Sequence, residues 1–455
     1  MLEKLGELII NISDGIWGAP ILILLLGGGL YFLIYSRLAP LRYIGHAVKI
    51  LTGKFDDPND PGQLRHYQAL STALAGTVGM GNVSGVAVAI TMGGPGAIFW
   101  MWVSALLGVS TKFFTCSLAV MFRGKDSAGE IQGGPMYYIT EGLGKNWKPV
   151  AIFFSIVGMI GVSPLFQANQ LTQMIRDVVL IPNNIEASFQ SDLITGIVIS
   201  IITGIVVIGG IKRIGNVTGR VVPFMVVVYV ITVLYIIFSN YTQIIPAFQT
   251  ILHDAFTGDA VLGGSLDAII IVGVRRAAFS NEAGLGTAPM AHGAAKTSEP
   301  IREGLVAMLG PIIDTIIICT MTALAIIITN TWIDSSADGI TLTANAFDAA
   351  IPIYGKYILT ICVTFFAMST LFAFPYYGAK CLGFIAGAKY GYIYNYVFVA
   401  VIIIGAVSNL QVIIGLIDIS FALMAFPTVI STLLLSPHVR RAAKDYFSRL
   451  KSNSF

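Results

Sequence analysis

Long apolar runs, separated by short polar stretches, set the first expectation for this chain. About 20 apolar residues suffice to cross a bilayer as a helix. Such runs occur at Trp17–Ser36, His66–Met92, Ala97–Phe122, Pro149–Val179, Ser191–Gly210, Asn216–Ser239, Gly263–His292, Gly304–Thr329, Tyr354–Gly387, Tyr392–Ser408 and Gln411–Leu435. They predict eleven transmembrane helices. The connection Arg37–Arg65 contains Asp56-Asp57-Pro58-Asn59-Asp60-Pro61-Gly62, which reads as a loop. Gly93-Gly94-Pro95-Gly96 reads as a tight turn. The linker Arg123–Lys148 holds an amphipathic piece, Met136–Gly142, expected at the membrane surface.

Composition narrows the class. The chain has 455 residues, 55% hydrophobic and 11% charged, with mean hydropathy +0.80. Soluble domains carry about 25% charge. An all-α polytopic membrane protein is expected. The net charge of +3 says less than its distribution. If Arg37–Arg65 is cytoplasmic and sides alternate, the outside receives Lys4, Arg176 and Lys356, while Arg275 and Arg276 fall within a span. The rest of the 27 Lys and Arg then lie inside, as the positive-inside rule requires. The N-terminus is expected outside and the C-terminus in the cytoplasm. Basic residues scattered over loops give no nucleic-acid signal. Cys116, Cys319, Cys362 and Cys381 lie in apolar runs without metal spacing and read as reduced core residues. Met1–Asp14 is acidic and lacks the basic start of a cleavable signal.

Two of the runs are poor helices. Within Ala73–Gly94, Gly76, Gly79, Gly81 and Gly85 fall close together with Thr77, Asn82 and Ser84. Each glycine costs about 1 kcal/mol against alanine in a helix interior. Unwinding is expected near residues 76–82. Freed N–H groups there would attract anions and freed carbonyls cations. Packing through small residues is the alternative, and Asn82 could equally cap the second half-helix. The second case is Gly263–His292, where Arg275, Arg276 and Glu282 accompany Gly273, Gly284 and Gly286. Ser280-Asn281 is expected to start a half-helix after a break. The arginines are expected to pair with Glu282 in a gating or structural role, with direct substrate contact as the alternative.

Setting aside the first span, the broken helices are the first and sixth of ten. Five spans after one break and five after another is the arithmetic of an inverted-topology repeat. The expected units are residues 1–62 (N-terminal helix and cytoplasmic loop), 63–240 and 241–436 (the two five-helix repeats) and 437–455 (a cytoplasmic tail). Gln167 and Gln170 lie three apart on one helix face, and amides at such depth are expected to contact substrate. Asp314 and Asp418 are lone carboxylates in apolar surroundings. They read as hydrogen-bonded structural residues, with proton coupling as the alternative.

Gly93–Gly108, GGPGAIFWMWVSALLG, and Arg275–Pro289, RRAAFSNEAGLGTAP, resemble the two signatures of the alanine or glycine:cation symporter family. The resemblance covers nearly the whole chain. It implies a leucine-transporter-like fold with one extra N-terminal helix, and cotransport of small neutral amino acids with Na⁺ across the cell membrane. Gly76–Asn82, GTVGMGN, resembles the unwound segment of that fold. By that resemblance Gly79 permits the bend, the N–H groups of Met80 and Gly81 meet the substrate carboxylate, and carbonyls of Thr77 and Gly273 or its neighbours meet the ammonium. It also implies Na⁺ ligands from the carbonyls of Ala75, Val78 and Phe366 and the hydroxyls of Ser369 and Thr370. The alternative is that these hydroxyls bond back to their own helix. Asn82 is the candidate for a second cation. The chain departs from the family at Met80 and Ala277, where smaller or polar residues and glycine are frequent. Met80, Phe279, Phe366 and Met368 would crowd the site and favour alanine and glycine.

Rival classes fare worse. A pore needs polar residues along its length, and here they cluster at two breaks. An intramembrane enzyme would carry a motif such as HExxH or GxSxG, and the sequence has neither. The partners expected are Na⁺, a small neutral amino acid and the lipid bilayer.

Overall fold

The computed structural model describes residues 2–208, 210–257, 266–333 and 337–452. Nine described helices are long and apolar enough to cross a membrane, or ten with the bent N-terminal pair. That pair is α1 (Leu2–Ile16) and α2 (Ala19–Tyr35), bent by 53°. A short helix, α3 (Ile44–Leu51), follows. The first interrupted span is α4 (His66–Thr77) and α5 (Met80–Gly93). Next come α6 (Gly96–Met121), α7 (Pro135–Leu143), α8 (Lys148–Gly161), α9 (Leu165–Ile175), α10 (Phe189–Val207), α11 (Gly210–Ser239) and α12 (Ile244–Thr257). The second interrupted element is α13 (Leu266–Asn281) and α14 (Thr287–His292). The start of the expected span at residues 263–265 lies outside the described residues. The chain then forms α15 (Pro300–Ile328), α16 (Gly339–Ala350), α17 (Gly355–Ala386), α18 (Ile393–Val407) and α19 (Leu410–Lys451).

Burial separates two kinds of helix. The interrupted span α4–α5 is almost wholly enclosed, with 94% of its most apolar window buried. The outer helices α10 and α11 bury 39% and 33% of theirs, leaving apolar sides where lipid lies. Apolarity all round marks α4–α5 as surrounded by protein.

Several connections carry structure that length and hydropathy did not predict. Short α12 packs on α6, and short α16 on α5. Asp254 of α12 accepts from the Gly96 N–H at 2.7 Å, and the Trp100 indole donates to the Ala255 carbonyl at 3.1 Å. The segment Met136–Gly142 is not a surface helix. Met136, Tyr138 and Ile139 of α7 are fully buried against protein, because α8 and α19 cover its apolar face. The four cysteines are free and buried. The helix that carries the last span runs on past Leu435: α19 continues unbroken to Lys451, so the expected tail is a helical extension as far as it is described.

Close packing relies on small residues where helices touch. At Gly304 of α15 a Cβ would lie 2.6 Å from the Phe113 carbonyl oxygen of α6 and closer still to Ser117 Oγ. Gly304→Ala is expected to lower the unfolding temperature in detergent, at about 1–3 kcal/mol for overpacking. Gly45→Ala, at an exposed α3 position with nothing within 4 Å, is expected to leave it unchanged or raise it. Paired melting curves check the contrast.

Candidate functional site

The first break is narrower than residues 76–82. Gly76 and Thr77 remain helical, and α5 has begun at Met80. Only Val78 (φ −76°, ψ 87°) and Gly79 (φ −152°, ψ −147°) leave the helix. The cause is Asn82. Its Oδ1 accepts the Gly79 N–H at 2.9 Å and caps α5 at once. Gly79 is required by proximity, since a Cβ there would press on Thr370 Oγ1. The N–H groups of Met80 and Gly81 belong to the first turn of α5, where no intrahelical partner exists.

The second break lies later than expected. Ser280 and Asn281 end α13 instead of starting the next half-helix. The break runs through Glu282 (φ 54°), Gly284 (φ 86°) and Gly286 (φ 92°). Asn281 Oδ1 accepts the Ala283 N–H at 2.9 Å and turns the chain out of the helix. The left-handed glycines decide the place, not the polar pair before them. Gly273 therefore sits inside α13, far from the break. A Cβ there would lie 2.6 Å from the Ala97 carbonyl oxygen, so Gly273 serves packing against α6 and not the cavity.

Between the breaks lies a cavity leaving about 10 Å³ for the centres of water-sized molecules, inside an envelope of ≈ 320 Å³. Of the residues expected at a substrate, Thr77, Gly79, Met80, Gly81, Gln167 and Phe279 line it. Ser163 Oγ and Gln167 Oε1 are buried there without a hydrogen-bond partner among the described residues, while Thr77 Oγ1 stands by the Asp314 carboxylate. Buried polar atoms are usually paired, so two orphans on one cavity mark a place for a polar ligand. Phe279 forms one wall, edge-on to Phe166 at 4.7 Å and tilted against Phe421 at 5.7 Å. Its carbonyl oxygen would be 3.3 Å from a Cβ on Gly81.

Gln170 does not line the cavity. Its Oε1 accepts from Ser84 Oγ and from the Ile340 N–H at 3.1 Å, and its Nε2 donates to Asn169 and Gln173. It fastens α16 onto α5 and α9. Phe366 and Met368 are also absent from the wall; Phe366 packs on Tyr229 at 5.2 Å. Residues not singled out for the cavity are Gly161, Ser163, Glu282, Phe374, Ile417 and Phe421. For Ser163 a signal existed. Gly161-Val162-Ser163-Pro164 interrupts an apolar run, and the proline divides α8 from α9.

Beside the first break, oxygens converge. Thr370 Oγ1 donates to the Ala75 carbonyl at 3.0 Å, and Ser369 Oγ to the Phe366 carbonyl at 2.9 Å and the Ala75 carbonyl at 3.5 Å. Val78 is buried next to them and ends α4, its N–H donating to the Leu74 carbonyl at 2.7 Å. Neutral oxygen donors in this number suit a hard monovalent cation. Behind the cavity, Asn82 Nδ2 donates to Asp314 Oδ1, and Ser280 Oγ donates to the same oxygen at 2.5 Å. Asp314 stands in a π-helical stretch, Ile312–Cys319, a form frequent at functional sites. Its Oδ2 is buried without a partner among the described residues.

Charges flank both ends. The arginines pair with Asp418 and not with Glu282. Arg275 Nε donates to Asp418 Oδ2 at 2.6 Å, and Arg276 Nη2 reaches the same oxygen. The helix α1 adds Asp14, which accepts from Arg275 at 2.9 Å, and Ser13. Glu282 is turned away by its left-handed backbone, lines the cavity and accepts from Thr287. Arg276 lies 5.4 Å from the Phe279 ring centre. At the opposite end, His66 and His292 each bring Nδ1 to one oxygen of Glu303. Arg123 donates to the carbonyls of Gly293 and Thr297, both at 2.9 Å, and to Ala295.

The profile of the sodium:alanine symporter family matches residues 2–454. An uncharacterized transporter of Haemophilus influenzae is 40% identical over 451 residues, covering 98% of this chain and 96% of that one. The sodium/alanine symporter AgcS of Methanococcus maripaludis is 40% identical over 456 residues, covering 98% of each. Among solved structures, MhsT in complex with L-phenylalanine superposes with a TM-score of 0.54 at 12% identity, over 84% of this chain and 98% of that one. At that identity the likeness concerns the fold.

Asn82→Ala is expected to lower the unfolding temperature, because the Gly79 N–H loses its acceptor and the Asp314 carboxylate a donor. Each buried group so orphaned costs about 1–3 kcal/mol. Melting curves with Asn82→Asp as a second variant check the assignment: aspartate restores the cap to Gly79 but sets a second carboxylate against Asp314, so it too is expected to be destabilised.

Proposed function

The chain belongs to the sodium:alanine symporter family, and on that footing we propose that it imports alanine and glycine with Na⁺ by alternating access. The observation carrying this reading is the small cavity with unpartnered polar atoms on Ser163 and Gln167 between two broken helices. The proposed layout is eleven spans, with α4–α5 and α13–α14 as the first and sixth of a five-plus-five repeat behind the N-terminal helix. The N-terminus lies outside and the C-terminus in the cytoplasm.

A zwitterion fits these groups without a fixed counter-charge for its carboxylate. The free N–H groups of Met80 and Gly81 stand at the positive end of α5 and receive the carboxylate. The ammonium is received by Gln167 Oε1, the Thr77 and Ser163 hydroxyls and the Phe279 carbonyl at the negative end of α13, with Glu282 on the wall. Phe279 takes the place first expected of Gly273. Na⁺ binds among the Ala75, Val78 and Phe366 carbonyls and the Ser369 and Thr370 hydroxyls. A second Na⁺ binds at the Asp314 carboxylate beside Asn82, whose oxygen stays on the Gly79 N–H. Arg275, Arg276 and Asp418 close the outer side over Phe279. His66, His292, Glu303 and Arg123 hold the inner side.

Ser369→Ala with Thr370→Val is expected to raise the Na⁺ concentration for half-maximal uptake by about tenfold, the effect of about 1.4 kcal/mol of lost coordination. Uptake titrations in proteoliposomes measure it, and an unchanged Na⁺ dependence moves the ion elsewhere.

Size selection follows from Met80, Phe279, Phe374, Ile417 and Phe421 around so small a cavity. Overpacking costs about 1–3 kcal/mol, about tenfold to a hundredfold in affinity. In proteoliposomes with an inward Na⁺ gradient, labelled alanine is expected to accumulate, and to stop accumulating when the gradient is removed. Excess glycine is expected to suppress uptake strongly and leucine weakly. Equal competition by leucine defeats the small-pocket reading, and accumulation without Na⁺ defeats the sodium coupling.

A further inference from the structure

A second cavity, of ≈ 490 Å³, lies at the far end of the molecule from α1, between the end of α2, the chain leading into α3, and the last turns of α19. Its lining includes Arg37, Arg42, Arg440, Lys444 and Lys451, and no acidic residue. All five cations are exposed. None makes a side-chain hydrogen bond or ion pair among the described residues. The nearby carboxylates are already taken: Glu299 and Asp445 bind Arg449, which stands outside the cavity, at 2.8 and 3.0 Å. Five like charges around one hollow repel one another unless an anion from outside joins them.

The hollow is shaped and not merely basic. Phe113 and Phe114 are buried beneath it. The Tyr43 and Phe447 rings stack at 4.0 Å, and the Arg440 guanidinium lies 4.3 Å over the Tyr35 ring. Arg37 and Leu38 hold left-handed backbone (φ 57° and 61°), a conformation costly for side chains of this kind, and it turns the chain sharply around the rim. Guanidinium forks match phosphate oxygens in pairs. Leading away from the cup along α2, Leu30, Tyr31 and Ile34 are exposed, Ile34 by 66%. A cationic cup continuous with an apolar track is the shape of a phospholipid, not of a free ion.

We propose that this cavity seats the phosphate headgroup of an anionic glycerophospholipid, with its acyl chains along the exposed side of α2. Basic pockets between transmembrane helices on the cytoplasmic side bind such headgroups. The assignment to the inner leaflet rests on the topology proposed above; the binding itself does not rest on transport.

Native mass spectrometry of the purified, delipidated full chain tests it, with phosphatidylglycerol, phosphatidylcholine and inorganic phosphate as probes. Phosphatidylglycerol is expected to bind at a single saturable site, at least tenfold more tightly than phosphatidylcholine. Arg37→Gln/Arg42→Gln/Arg440→Gln is expected to weaken it at least tenfold. Lys145→Gln/Lys148→Gln, basic positions outside the cavity, is expected to leave it unchanged. If the triple variant does not fold, Arg440→Gln alone is expected to weaken binding about threefold. Unchanged binding in the cavity variants, or equal loss in the Lys145/Lys148 variant, overturns the proposal. Displacement of the lipid by millimolar phosphate also overturns it, since the cup would then serve a free anion. Loss of alanine uptake has no bearing on these outcomes.

Discussion

A helix broken inside a bilayer exposes backbone groups that no water satisfies, and each such group costs several kcal/mol. The amide of Asn82 answers that constraint at the first break. One end caps the Gly79 N–H and the other reaches Asp314 and Ser280. The same side chain therefore fixes where α5 begins, joins it to α15 and touches the end of α13. Thr370 does the corresponding work for α4, taking the Ala75 carbonyl. With both ends held, the break spans only two residues, and the free N–H groups of α5 stay aimed at one small cavity.

Around that joint the polar groups are layered by task. Atoms left without partners, on Ser163 and Gln167, belong to residues that line the cavity. Atoms with every partner supplied, as on Gln170, hold elements together. Apart from Glu282, which lines the cavity, the charged groups stand farther out and in pairs. Asp418 holds two arginines on one oxygen, and Glu303 holds two histidines on two. Such buried charges are sustained only by direct pairing.

The sequence made the spans readable because a bilayer demands about 20 apolar residues, and few folded arrangements imitate that demand. The glycine clusters also showed that two helices would break. They did not show on which side of the cluster. At the second site Ser280-Asn281 resembled a start, yet the left-handed turns at Glu282, Gly284 and Gly286 make it an end. Nor could spacing separate Gln167 from Gln170, which share a face. The difference comes from α16, about 170 positions away in sequence, whose Ile340 N–H claims Gln170. Asp418 and Asp14 reach Arg275 across gaps of 143 and 261 positions, and local patterns carry no trace of such pairings. Ser163 could have been found, because a proline within an apolar run announces a kink.

The two breaks differ in length, and the difference is mechanical. Each residue contributes two soft torsions. Val78 and Gly79 supply about four, and their neighbours are pinned from both sides by Thr370 and Asn82. Glu282 to Gly286 supply about ten, three residues among them in left-handed backbone. The first joint is thus short and held by two side chains, while the second is longer and held by burial and by bonds from Asn281, Thr287 and Thr428. Were the two halves to rock as proposed, the turn would fall on two residues at the first joint and be shared among five at the second, with the oxygens around Ala75 and Thr370 lying beside the shorter one.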